Sequence, residues 1–444
     1  MFFSQILDKK TQQSKKERLS FSMEIEYSFK KLIGPYGIPI YHHPAPSVIK
    51  AVAMTWVVFT GAADDESIGA PGLYHWFEHV PFRGTKKFPG GAKETMKRIT
   101  SVGGRLNANT GTLRTAYESV TPISEWKYGL SVITDLFAQP LLKEEDIIKE
   151  REIIFQEIAR SRASLGGLIR HEEPRILFPK HPFGKHVLGS EESLLSVTPD
   201  VLIKAHRFGY DRSRIALVVC GNISETELLD EVEKLADTFP NNGLTPRTKG
   251  AYYGQLPAWN ITPYECETDF SESVVQLLFP TPQAQTAREA IVRGMAIWMF
   301  SFGGLSSPFK RILREDRNLI YTGGITSRDV PGGGYSGFHA QAKKENINAI
   351  IKAFDDVLAD PEVYSVDRLN LIRSGKIGEM DISSFDASEK VDGAVEDLVD
   401  SHGIISCEEI KNLISSVTFE EVLQELKLFN RTKGKLLVFR GMGS

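Results

Sequence analysis

Two histidines and a glutamate stand close together at His75, Glu78 and His79, inside the stretch GLYHWFEHVPFRGT, residues 72–85. If residues 73–80 are helical, Leu73, Trp76, Phe77 and Val80 fall at i, i+3, i+4 and i+7 and form one apolar face. His75, Glu78 and His79 then share a neighbouring face. One turn separates the imidazoles, so both can reach a single ion. Imidazole nitrogen is a good zinc ligand, and a catalytic zinc takes three protein ligands while keeping a position open for water. Glu78 stands where a carboxylate can take a proton from that water. The same residue types also meet by chance, and an isolated histidine is more often structural, so the reading turns on a third ligand.

KEEDIIKEREIIFQEIARSR, residues 143–162, supplies the candidates. Its Ile147, Ile148, Ile154, Phe155 and Ile158 share a helical arc. Glu150 and Glu157 project from one side of that helix, two turns apart, at the margin of the arc. Glu144, Glu145 and Glu152 are expected to face water. A carboxylate at a buried margin needs a partner, which singles out Glu150 and Glu157.

The elements around these residues must hold two helices together. With 444 residues the chain is long enough for two or three domains, and 41% hydrophobic with 25% charged residues is ordinary for a globular protein. A net charge of −4 gives no support to a nucleic-acid partner. No apolar run approaches the roughly 18 residues needed to span a bilayer, so no membrane association is expected. The short apolar start before DKKTQQSKKER has the wrong order for a secretory signal, and Asp8 and Glu17 count against a mitochondrial targeting segment. A cytoplasmic location is the resulting expectation. Cys220, Cys266 and Cys407 lie far apart and read as reduced, mostly buried thiols.

Strands are expected from about Glu24 to Thr60, broken at GPYG and HHPAPS and ending in AVAMTWVVF, within VGGRLNANTGTLRTAYESVT as a pair, and at SRIALVVCGNI, SVVQLLFPTP, GGYSGFHAQA and KGKLLVF. Helices are expected over 123–138, 144–163 and 286–301, with another opening at Ser224 in a capping box with Glu227. Two more helical stretches are expected before the closing strand. The fold class is therefore α+β, two similar domains that each pack a mainly antiparallel sheet with helices. The expected division is a polar, poorly ordered segment over 1–22, a first domain over 23–240, a Pro/Gly/Asn-rich linker over 241–258 and a second domain over 259–444.

Several stretches, in order, carry a resemblance: TGAADDESIGAPGLYHWFEHVPFRGT, GGRLNANTGTLRTAYE, EREIIFQEI, HPFGKHVLGSEESLLSVTPDVLIKAHRFGY, LVVCGNIS and FGGLSSPFKRILREDRNLIYTGG. Over about residues 30 to 440 the chain resembles the pitrilysin-type zinc metallopeptidases, or inverzincins, in the branch of mitochondrial processing peptidase and its short bacterial relatives. The resemblance implies one zinc ion per chain, held by His75, His79 and Glu157, with Glu78 activating water and Glu150 supporting as a further acid. It implies that Asn107 and Ala108 belong to an edge strand that pairs with extended substrate. It implies that Arg314 and Tyr321 hold the substrate and its reacting carbonyl. The chain would form half of a clamshell, completed in a homodimer or in a heterodimer with a related chain, and would hydrolyse unfolded or extended peptides. The alternative is a non-catalytic member that acts as a peptide-binding or assembly subunit.

Four positions depart from the family pattern. Pro81, just after the second histidine, should end or kink the helix near His79. Asn318 replaces a usual glycine, and asparagine tolerates positive φ. Tyr74 and Ile320 are bulkier than usual and are expected to narrow the cleft.

Overall fold

The computed structural model describes residues 28–246, 254–383, 386–399 and 403–442. The polar opening segment 1–22, and residues 247–253 of the expected linker, lie outside the described residues.

Two sheets organise the chain. The first contains β1 (Lys30–Ile33), β2 (Pro39–Pro44), β3 (Ala51–Val58), β4 (Arg105–Thr110), β5 (Thr115–Pro122) and β6 (Ile215–Gly221), in the order β1-β2-β6-β3-β5-β4. The second contains β7 (Tyr264–Thr268), β8 (Ser273–Thr281), β9 (Thr322–Val330), β10 (Gly333–Ala342) and β11 (Lys435–Gly441), in the order β7-β11-β8-β10-β9. Among the described residues, only β2 with β6 and β7 with β11 run parallel; the other pairings are antiparallel. This is the expected α+β class. With β1 set aside, the two orders correspond strand for strand. Strands β7 and β9 were not foreseen: YECET is short, and TGGITSRDV is glycine-bearing and polar, as suits strands at a sheet's rim.

Strand β6 is buried along its whole length and β3 nearly so, which is why both read as continuous apolar runs rather than alternating ones. Helix α2 (Trp126–Ala138) packs on this sheet, where Trp56 Nε1 donates to Thr134 Oγ1 at 2.9 Å. The other face is covered by α5 (Ala387–Val399), a helix from the far end of the chain. Its Val391, Ala394, Val395 and Leu398 meet Ala53, Val57, Ala216 and Val218. The second sheet is covered in return by α4 (Leu165–Leu177), whose Leu165, Ile169 and Leu177 join Val274, Leu278, Leu437 and Phe439. Buried Glu173 of α4 accepts hydrogen bonds from the Tyr335 hydroxyl and the Gln276 amide of that sheet. Each sheet is thus completed by a helix from the other half.

Among the described residues between β10 and β11 there are five helices rather than two: Ile347–Leu358, Val366–Ser383, Ala387–Val399, Cys407–Ser416 and Phe419–Leu426. Short breaks divide what otherwise looks like long helical text, among them the turn at Pro361 and the Thr418 cap before Phe419.

Candidate metal centre and substrate cleft

Helix α1 (Leu73–His79) is short and held from its start. Gly72 caps it with φ +94°, and a Cβ there would lie 2.6 Å from the Leu188 carbonyl oxygen. The backbone N–H groups of Gly72 and Tyr74 donate to the buried Asp65 carboxylate at 2.7 and 2.9 Å. These bonds satisfy donors that a helix start leaves free, and they oppose the burial that pushes the Asp65 carboxyl well above its ordinary value. Leu73, Trp76, Phe77 and Val80 are buried together. The helix ends at His79, and Pro81 opens a 3₁₀ turn over Val80–Arg83. Tyr74 is also fully buried, its ring tilted against Tyr210, and Ile320 is buried in the core behind the second sheet. Neither narrows the cleft, because both side chains point into packed interior.

Helix α3 (Glu144–Arg162) crosses α1. Ile147, Ile154 and Ile158 are buried and Phe155 is half-buried, but Ile148 is 45% exposed. The expected arc is narrower by that residue, since the contact surface ends before it. Glu145 and Glu152 face solvent.

The two helices bring His75, His79 and Glu157 together, with one potential ligand atom from each lying within 4.8 Å of the others. Glu157 Oε2 is 3.7 Å from both His75 Nε2 and His79 Nε2. These separations are too long for hydrogen bonds. They are a few tenths wider than the roughly 3.3 Å between neighbouring donors in a tetrahedral zinc site with bonds near 2.0–2.1 Å. Two imidazole nitrogens and one carboxylate oxygen are also a donor set that suits zinc. The residues therefore fit such an ion.

The surroundings tune each group. Burial pushes His75 down to about 3, with His79 and His186 adding to the effect, so its ring is neutral. Burial opposes charge on His79, but the Glu150 hydrogen bond and the carboxylates of Glu78 and Glu157 outweigh it and raise the imidazole. His79 Nδ1 lies 3.4 Å from Glu150 Oε2, which leaves Nε2 facing Glu157. Glu150 is buried, which raises its carboxyl, yet bonds from His79 and from Arg83 bring it below its ordinary value. Burial lifts Glu78 to about 7, against the pull of Thr110 and His79. Thr110 Oγ1 donates to Glu78 Oε2 at 2.7 Å.

A cleft of about 750 Å³ opens over this cluster, lined by His75, Glu78, His79 and Glu157 and by Asn107 and Ala108 of β4. Strand β4 is the edge of its sheet, with β5 on one side only. Arg314 and Tyr321 do not line this cleft. Arg314 sits in the turn Arg311–Glu315, beside Glu315, and Tyr321 directly precedes edge strand β9 and is 48% exposed. Asn318 between them has φ +50°, so the turn keeps the conformation that a glycine would allow. Arg83 and Thr110 were missed in the sequence. Arg83 follows His79 by four residues, a spacing that could have suggested it, whereas the contact of Thr110 with α1 is purely tertiary.

Two family descriptions match the chain: Insulinase (Peptidase family M16) over residues 46–191 and Peptidase M16 inactive domain over 196–360. His75, Glu78, His79, Glu150 and Glu157 fall in the first, Arg314 and Tyr321 in the second. An uncharacterized zinc protease of Rickettsia bellii is 23% identical over 407 residues, spanning 90% of this chain and 94% of its own. A probable mitochondrial-processing peptidase subunit beta of Arabidopsis thaliana is 25% identical over 224 residues, 50% of this chain and 41% of its own. A protease from Helicobacter pylori has a similar fold, with TM-score 0.83 at 16% identity, covering 93% of this chain and 99% of that one. A periplasmic protease from Escherichia coli superposes with TM-score 0.77 at 16% identity, covering 95% of this chain but 48% of that one. Among the described residues, no helix is long and apolar enough to cross a membrane.

Proposed function

The chain belongs to peptidase family M16, and on that premise we propose that it is a zinc-dependent endopeptidase acting on unfolded or extended peptides. The observation that carries the reading is the meeting of His75, His79 and Glu157, with Glu78 on the same cleft. When bound there, one zinc ion per chain supplies a Lewis acid that polarises the scissile carbonyl and acidifies water. Glu78 accepts the proton of the attacking water and returns it to the leaving amine. Thr110 fixes the direction of the Glu78 carboxylate. Glu150 holds the Nδ1 proton of His79, so that Nε2 presents its lone pair, and Arg83 holds Glu150. An extended peptide adds to the free edge of β4 at Asn107 and Ala108, gaining backbone hydrogen bonds whatever its side chains are.

Arg314 and Tyr321 serve the substrate from the second half of the chain, where they stand outside the cleft around His75. A facing second chain, identical or related, would bring such a pair opposite the metal ligands. The half-length match to the Escherichia coli protease supports a two-chain assembly.

A non-catalytic, peptide-binding role is the second reading, favoured by the inactive-domain description of residues 196–360. Metal analysis and cleavage of a quenched peptide library, with and without chelator, separate the two. The expected result is stoichiometric zinc and chelator-sensitive cleavage that Glu78→Gln abolishes while keeping its zinc. Full cleavage by Glu78→Gln would show the general-base assignment to be wrong.

A further inference from the structure

The cleft has a second chemical character that the zinc reading leaves unused. Beyond Glu157 the chain turns from α3 into α4, and this corner gathers cations at one end of the cleft. Arg160, Arg170 and His186 line the same hollow as His75 and Glu157. A second depression of about 230 Å³ is lined by Arg162 and His171 and meets the first at His186. The His171 and His186 rings stack with centroids 3.5 Å apart, and Ser161 Oγ lies 3.2 Å from His171 Nε2. The corner is thus a built, packed wall.

Its cations sort into two groups. Arg175 pairs with Glu172, and Lys185 with Glu66 at 3.2 Å. Arg160, Arg162, Arg170 and Lys180 face solvent, and no carboxylate lies within ion-pairing distance of them among the described residues. The imidazoles register this charge. Burial lowers His171 to about 4, with Arg162 and Arg170 adding to it and Glu172 opposing. Burial lowers His186 to about 3, assisted by His171, Arg170, Arg328 and Arg162. At neutral pH the rings carry no charge, so the positive potential rests on guanidinium groups. Uncompensated like charges in a concave wall repel one another and attract an anion. The planar guanidinium fork matches a carboxylate better than any other common side chain does.

We infer that this end of the cleft is a subsite for an acidic side chain of the peptide, with Arg160 and Arg170 as specificity-determining residues. The inference rests on the peptidase reading of the cleft. It commits to Glu or Asp at a position flanking the scissile bond. A peptide's C-terminal carboxylate has the same chemistry and is separated by the test.

Matched quenched peptides carry Gln, Glu or Lys at each flanking position in turn, every one made with a free and with an amidated C-terminus. In the zinc-loaded protein the best Glu peptide is expected to exceed its Gln counterpart by roughly tenfold in kcat/KM, amidated or not. Salt should shrink the gap by screening. Arg160→Gln with Arg170→Gln should bring the ratio toward one. Arg170→Glu should turn the preference toward Lys, a reversal that misfolding cannot produce. Anisotropy binding of the same peptides, labelled, to Glu78→Gln reads the ratio without cleavage. Tight, Glu-selective binding with no cleavage by the unmutated protein would sink the peptidase reading and leave the subsite standing. Equal values for Glu and Gln peptides, a preference that survives the charge variants, or one confined to free C-termini would overturn the subsite.

Discussion

Glu150 and Glu157 lie two turns apart on α3, and the structure gives them different work. Glu157 faces the Nε2 atoms of both histidines at 3.7 Å, whereas Glu150 faces His79 Nδ1 and Arg83. Alanine at each position should therefore cost zinc affinity by different amounts. Closed zinc sites with four ligands bind with about 10–16 kcal/mol, or roughly 3–4 kcal/mol per ligand, so Glu157→Ala should weaken zinc by about 10²–10³-fold. Glu150→Ala removes only the acceptor that fixes the His79 ring, a loss expected at about 10–100-fold. Glu150→Gln keeps a carbonyl oxygen for the Nδ1 proton and should fall at about tenfold or below. Competition of the apoprotein with a chromogenic chelator at neutral pH measures all three. A thermal midpoint for each variant separates metal loss from unfolding, since Glu150→Ala also strips Arg83 of its partner. If Glu150→Ala costs more zinc affinity than Glu157→Ala, the two residues have been assigned the wrong way round.

Thr110→Val should lower kcat by roughly tenfold while leaving zinc content unchanged, because only the orientation of Glu78 is lost; an unchanged kcat would dismiss the contact. Gly72→Ala forces a side chain into φ +94° and against the Leu188 carbonyl, and should cost roughly 2–3 kcal/mol in denaturant unfolding. His171 is held near 4 in the fold, below its ordinary 6.5, so the unfolded chain binds the extra proton first as pH falls. Its contribution is fully present above about pH 6.5 and declines between there and about pH 4. His171→Gln should therefore flatten the pH dependence of the thermal midpoint across that window, and an unaltered slope would count against it.

Much of the site was legible because helical periodicity is a local property. A spacing of three and four residues puts His75, Glu78 and His79 on one side of α1 and leaves Trp76 and Phe77 for the core. The same arithmetic sets Glu150 and Glu157 on one margin of α3. Pro81 and Asn318 announced their own backbone consequences. Tertiary facts were not legible. Ile148 carries the same side chain as buried Ile147, and only the neighbouring elements decide which is exposed. Nothing in residues 165–177 or 387–399 states which sheet each helix will cover, and Pro174 with two glycines disguises the first as a loop. The distance of Arg314 and Tyr321 from the His75 cleft depends on how the two halves are arranged, which no local spacing encodes.

The mutual loan of α4 and α5 makes the whole polypeptide the unit of cooperativity. Severed near residue 250, neither fragment could bury its sheet, and each would expose an oily surface shaped for a helix left on the other. Heating should melt the intact protein in one transition, and the two fragments, if produced together, should recover structure only as a non-covalent pair.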